Sequence, residues 1–353
     1  MKKLTSNDLK QISNLHNIYS KEVPDFIIEA LNSKEMQRIK EIGQNCGRDY
    51  LSNTFQNFSY NYSRCEHSIG VALIVWRFTK NVKMTLAGLF HDIAAPTFSH
   101  VIDFLNGDSE TQESTEELTY EIINDSKKIQ EILKKYNLKT EDVSDYSMYP
   151  IADNKSPKLS ADRLEYTCYM STAMGLISFD ELNELINDIY IVTIDNTQEM
   201  CFKNIKYAKK FAKLAIVCGR FMSSPISTVS NQFLADILKI AVDTKILTKN
   251  DFNTLTEDEI VTKIENCNNE KVKFLFKYFR TFDKVYESNS EDLSNYSINV
   301  KVKSRYINPL CNYKDSILRV SDIDSEIKND IENFLKEANT KYFSINLGKE
   351  NFE

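Results

Sequence analysis

The chain runs to 353 residues, 42% hydrophobic and 27% charged, a balance that excludes disordered, collagen-like and membrane-embedded classes. Lys and Arg total 44 against 51 Asp and Glu, a net charge of −7, so a broad electropositive face for duplex nucleic acid is not expected. Only eight Gly and six Pro interrupt the chain, which favours helices over a turn-rich sandwich or barrel.

In chain order, the opening MKKLTSNDLKQIS has no apolar core and is not read as a signal peptide. No later stretch approaches the ~18 apolar residues of a membrane span. Apolar positions at helical spacing fill 25–45, broken at Asn32-Ser33, and again 62–80. Residues 83–95 (KMTLAGLFHDIAA) are apolar nearly all round, the pattern of a buried helix, which Pro96 then ends. A polar, acidic connection over 106–118 leads to helical pattern over 116–136 and an ordered, Pro-containing loop over 145–160. Ser160 is placed to cap a helix over 161–174, and helices are predicted at 179–188, 203–222 and 227–245. A hairpin is predicted from IYIVTI (189–194) and the EMCF after it. Residues 296–307 and 317–323 read as strands, 324–338 as a helix and 342–347 as a last strand, with the Ser/Asn-rich, acidic 287–296 as the linker. The seven Cys form no C-x-x-C pair and read as reduced thiols, so a cytoplasmic protein is expected.

The chemistry concentrates around the histidines. There are four, His16, His67, His91 and His100, and three of them lie within one stretch of helices. Neighbouring side chains on a helix diverge by about 100°, so the pair His91-Asp92 can share one ion only where a helix end faces it. His67 on the preceding helix and Asp162 at the start of a later one would complete an N/O site for a divalent cation. Gly70, one turn after His67, permits close approach of a facing helix.

R-x-x-H…HD…D is the signature of the HD-domain metal-dependent phosphohydrolases, which this chain resembles. The segments RCEHSIGVA (64–72), AGLFHDIAAPTFSHVID (87–103) and ADRLEY (161–166) are similar to the deoxynucleoside triphosphate triphosphohydrolase branch, with weaker similarity spread over about 20–265. The resemblance and the helical patterns together point to a mainly α fold, an HD helical bundle over 1–286 with its metal site in 64–166, and the strand and helix signals after it to a small α+β region over 287–353. The resemblance implies one divalent metal ion (Mn, Mg, Fe, Zn, Co or Ni) on His67, His91, Asp92 and Asp162. Arg64 and Arg163 match positions that touch substrate phosphates, and Tyr166 and Gln44 positions near the sugar. Asp103 matches an acidic position close to the scissile phosphate. A nucleotide substrate, a homo-oligomer and no membrane partner are the implied relations.

The chain also departs from that pattern. Ala95 and Gln112 stand where the branch commonly has His, and Met170 replaces an Asp that helps read the sugar. Glu113, Asp103 and His100 remain as the candidate proton carriers, Glu113 first because it adjoins a missing His. A nucleotidase or phosphodiesterase on the same ligands, and a nucleotide-binding module without turnover, stay open as alternatives. Singly, Arg64 and Arg163 could merely pair with Glu66 and Glu165. KVKSR (301–305) reads as an exposed strand face, with an anion contact as the other reading.

Overall fold

A computed structural model describes residues 5–51, 58–112, 118–337 and 341–352. Helices account for most of it, and their starts follow from capping chemistry. Thr5 closes a capping box with Asp8 at the head of α1 (Ser6–Tyr19), and Ser33 starts α3 (Lys34–Lys40) directly after α2 (Asp25–Leu31). Ser63 and Glu66 form a second box at α4 (Arg64–Thr79), whose first three turns are almost wholly buried. Asn81 caps α5 (Val82–Phe90), which packs along α4.

The predicted helix over 83–95 stops at Phe90. Beyond it Ile93 N donates to Phe90 O and Ala95 N to Asp92 O, so His91 and Asp92 occupy a tight turn rather than a helix interior. Pro96 disfavours the helical conformation at Ala95. Arg38 Nη2 takes the freed Ala95 carbonyl at 2.6 Å. After α6 (Val101–Leu105), the single helix expected over 116–136 is two, α7 (Thr119–Asp125) and α8 (Lys127–Lys135). Ser126 breaks it by adopting extended backbone and capping α8, while its hydroxyl donates to Glu35 at 2.9 Å.

Ser160 caps α9 (Ala161–Ala173) as expected, and α10 (Phe179–Asn187) leads into the predicted hairpin β1 (Ile189–Ile194) and β2 (Thr197–Phe202). Two long helices, α11 (Ile205–Met222) and α12 (Pro225–Asp243), precede the short α13 (Asp251–Thr254), α14 (Glu257–Glu265) and α15 (Glu270–Phe279). The C-terminal part holds β3 (Tyr286–Ser288), β4 (Asn295–Ile298), β5 (Leu310–Tyr313) and β6 (Ser316–Arg319), then α16 (Val320–Ile323), α17 (Ser325–Lys336), β7 (Tyr342–Gly348) and α18 (Lys349–Phe352).

Three C-terminal expectations change. The strand predicted over 296–307 ends at Ile298, and 299–309 has no regular structure. Its basic side chains are drawn to the 109–112 loop, where Lys303 Nζ donates to Thr111 O at 2.7 Å. The strand predicted over 317–323 turns helical at Val320. The linker 287–296 carries part of β3 and the start of β4. One sheet is β3-β7-β4, contained within the C-terminal part. The other is β1-β2-β5-β6, in which β2 pairs with β5 in parallel, so the C-terminal hairpin extends a sheet begun at residue 189.

Apolar side chains bury into two clusters. One is built on α1, α4, α5, α9 and α11, the other on α6, α12, α14, α15, β4 and β7. A cavity of about 380 Å³ opens between them, walled by Tyr169 and Met170 of the first and by Cys46 and Phe104 of the second.

Candidate metal centre

The floor of that cavity is made by three helix ends. The start of α4 supplies Arg64 and His67, the end of α5 supplies His91 and Asp92, and the start of α9 supplies Asp162. His67 Nε2 lies 3.2 Å from His91 Nε2 and 3.1 Å from Asp162 Oδ1. His67, His91 and Asp162 each present one ligand atom, all within 4.8 Å of one another. Asp92 stands at the edge of this group, with Oδ2 3.6 Å from His91 Nε2 and 4.0 Å from His67 Nε2. The same oxygen accepts from Arg64 Nη1 at 3.0 Å.

The donor set fits a cation, and the hydrogen bonds behind it say why. His91 Nδ1 lies 2.8 Å from the carbonyl of Gly88, which can only accept, so Nδ1 carries the proton. His67 Nδ1 meets the carboxylate of Glu165 at 2.5 Å, and the same reasoning puts its proton on Nδ1. Neutral rings then aim two bare Nε2 lone pairs at each other beside a carboxylate oxygen, an arrangement that repels itself and suits a positive ion. Backing each ligand histidine with a carbonyl or carboxylate is how proteins fix a metal-binding tautomer. In the metal-free protein a proton can serve instead. Burial disfavours a charged His67, but Glu165 and Asp162 outweigh it and raise its pKa to about 10. Asp162 moves down to about 2, its own burial overcome by the His67 hydrogen bond and the charge on both histidines. Burial also opposes ionisation of Asp92, yet Arg64, and after it the two histidines, hold this carboxyl well below the usual carboxylate range.

Glu165 was not singled out as a site residue by the sequence, yet it is fully buried and central. Tyr62 donates to its Oε1 at 2.7 Å and Tyr19 at 3.3 Å. Behind Tyr62, His16 Nε2 donates to the Glu66 carbonyl at 3.0 Å and lies 3.0 Å from the Tyr62 hydroxyl. Gly70 makes the room, because a Cβ there would stand 2.7 Å from the Glu165 side chain. All four histidines of the chain therefore sit in or behind this site. Their scarcity was the available signal for His16; nothing local to the sequence marked Glu165 or Tyr62.

The two arginines are anchored differently from the pairing with Glu66 and Glu165. Arg64 donates to Asp92 and, through Nε, to Ser99 Oγ at 2.9 Å. Arg163 is held by its own loop, donating to Lys158 O at 2.7 Å and to Asn154, and pairing with Asp153 at 3.1 Å. Both line the cavity, as do Gln44 and Tyr166. Gln44 Oε1 and Asn231 Oδ1 are buried in that wall with no hydrogen-bond partner among the described residues. His100 also lines it, with Nδ1 2.9 Å from Asp103 Oδ2. Asp103, expected beside a scissile phosphate, is fully buried against His100 and is not among the residues that line the cavity. Glu113 lies outside the described residues. Gln112 reaches the cavity wall, where its amide oxygen accepts from Arg305 Nη2 at 2.5 Å.

Comparison with known proteins agrees with this geometry. Residues 64–166 match the HD domain family, a span that contains every proposed ligand. An uncharacterized protein of Bacillus subtilis, YdhJ, is 26% identical over 314 residues, covering 88% of this chain and 92% of that protein. A metal-dependent phosphohydrolase of Cordyceps militaris, cns2, is 26% identical over 163 residues, covering 46% and 45%. A Dictyostelium discoideum protein named as a deoxynucleoside triphosphate triphosphohydrolase SAMHD1 homolog is 28% identical over 97 residues, covering 23% and 18%. Among solved structures, a hypothetical protein from Aquifex aeolicus shares the fold, with a TM-score of 0.64, 17% identity and 94% of both chains covered.

Proposed function

We propose that this HD-domain protein is a divalent-metal-dependent phosphohydrolase of nucleotides, with a deoxynucleoside triphosphate as first substrate and deoxynucleoside plus tripolyphosphate as products. The observation that carries the reading is the convergence of His67, His91 and Asp162 on the floor of a cavity walled by arginines and aromatic rings. Those three, with Asp92 beside them, would hold the ion. A bound divalent ion supplies Lewis acidity toward phosphate oxygens and acidifies water.

The chain's own residues do the rest. Arg64 is fixed by Asp92 and Ser99 and brings a positive charge to the metal side of the cavity without having to be ordered by substrate. Arg163, locked by its loop, does the same at the start of α9. The reaction joins a water oxygen to the phosphorus next to the sugar and breaks the bond from that phosphorus to the 5′ oxygen, which needs a proton. In this reading His100, which lines the cavity, carries it. Burial lowers its pKa, a trend the Asp103 hydrogen bond opposes and Arg64 and Arg305 reinforce, so the ring is neutral at rest. An arriving phosphate anion reverses that balance and charges it for donation. Asp103 is then a positioning residue that fixes the ring tautomer, and Glu113 remains the second candidate carrier. Gln44 and Tyr166 face the sugar in this reading, and the unpartnered Gln44 Oε1 is available to accept from a hydroxyl.

Chromatography of products after incubation with Mn²⁺ and a panel of nucleoside and deoxynucleoside mono-, di- and triphosphates tests the reading. Deoxynucleoside and tripolyphosphate, absent with H91A, are expected. Nucleoside plus orthophosphate would move the protein to the nucleotidases. Ala95 and the engaged Gln112 favour one second reading, a module that binds nucleotide without turnover, and it would show binding with no product at all.

A further inference from the structure

The irregular segment after β4 lies in the cavity wall rather than on the surface: Val302, Lys303, Ser304, Arg305 and Tyr306 all line it. Arg305 is half-buried there, and among the described residues its one side-chain partner is the neutral amide of Gln112. No carboxylate of the described residues pairs with it. A cation in a cavity wall with only an amide to hold it keeps its full charge available to a ligand, whereas Arg64 and Arg163 each share theirs with a carboxylate, Asp92 and Asp153. The segment is also fixed in place. A Cβ on Gly219 of α11 would stand 2.1 Å from the Arg305 carbonyl, so the two backbones are in direct contact and glycine is required there. Lys303 Nζ and Ser109 Oγ tie the same segment to the 109–112 loop, at 2.7 Å and 2.8 Å. Arg305 therefore lines the same cavity as His100, Tyr166 and Arg64, from a rigid support.

We propose that Arg305, delivered by the C-terminal part of the chain and held by Gln112, is an anion anchor for the phosphate chain distal to the metal, and so selects substrates carrying more than one phosphate. This rests on the phosphohydrolase reading for its substrate, but the anion site itself does not require turnover. Gln112 orients the guanidinium through an amide oxygen, which leaves the positive charge uncancelled. The C-terminal part thereby becomes a piece of the binding site, since the fold brings Arg305 into the same cavity as Gln44 and the metal ligands.

Isothermal titration with inorganic tripolyphosphate, on the full-length protein loaded with Mn²⁺, tests the anchor. The comparison is between wild type, R305Q and R305K. Loss of one charge-assisted hydrogen-bonding group predicts about 10- to 100-fold weaker binding for R305Q and partial rescue by R305K. Orthophosphate, whose single phosphate group the metal would take, should bind wild type and R305Q alike. Circular dichroism and Mn²⁺ affinity, both expected unchanged in R305Q, separate a lost anchor from a lost fold. Tripolyphosphate binding that is absent in wild type, or equal in wild type and R305Q, would overturn the proposal. Whether the wild type turns over nucleotides is read separately by chromatography of products, so failure of the phosphohydrolase reading is distinguishable from failure of the anchor.

Discussion

Glu165→Gln is the substitution that probes the site most sharply, because it changes almost no volume. The wild-type carboxylate only accepts, and it receives His67 Nδ1, Tyr62 and Tyr19. A glutamine placed there with its amide nitrogen toward His67 would donate, forcing the ring proton onto Nε2 and into the space the ion needs. Turned the other way, it would still lose the negative charge that supports His67. Losing the residue behind a ligand histidine typically costs about 10- to 100-fold in metal affinity, which is about 1.4–2.7 kcal/mol. Titration calorimetry with Mn²⁺ reads this directly. A second readout comes from the metal-free protein. The folded-state pKa of His67, about 10, lies above the ordinary value of 6.5, so its stabilising contribution is complete below pH 6.5. That contribution is lost as pH rises through about 10, and E165Q should flatten this part of the stability curve. Mn²⁺ affinity indistinguishable from wild type, together with an unchanged pH profile, would show that Glu165 does not set the His67 tautomer or charge.

Three further outcomes are expected. His16 has its pKa lowered to about 4, mainly by burial, so its contribution to stability is present above pH 6.5 and lost as pH falls toward 4. H16Q should remove on the order of 3 kcal/mol of that acid-side loss, measured by urea unfolding across the range. G70A places a methyl group 2.7 Å from the Glu165 side chain and should cost about 1–3 kcal/mol in urea unfolding while weakening Mn²⁺ binding. H100A should lower kcat by about 10²–10⁴, and D103N by less, with KM little changed in both, as steady-state kinetics on the substrate identified by chromatography will show.

The helical part of the fold was legible because its signals are local. Ser160 marked a helix start, and Pro96 and Pro157 marked chain that could not continue as helix. His67, His91 and Asp162 were legible through scarcity and order along the chain, and the structure brings them together. What failed depended on contacts distant in sequence. Pairing Arg163 with Glu165 ignored that residues two apart point to different faces of a helix; Glu165 instead faces α4 through the gap at Gly70. The alternation in 296–307 resembled a strand, but the segment answers to the 109–112 loop and to Gly219, neither of which its own sequence announces. Asp103 carried the right residue type for acid/base work, but its burial and its contact with His100 could not be read from the sequence.

One ion on His67, His91 and Asp162 is what we propose makes this chain a phosphohydrolase. Its most direct test strips the protein with a chelator, returns Mn²⁺ in steps, and follows nucleotide hydrolysis and bound metal together. No turnover is expected without metal, and activity should rise in proportion to bound Mn²⁺ up to one ion per chain, with D162A binding and hydrolysing far less. Hydrolysis that survives metal removal, or that D162A retains in full, would contradict it.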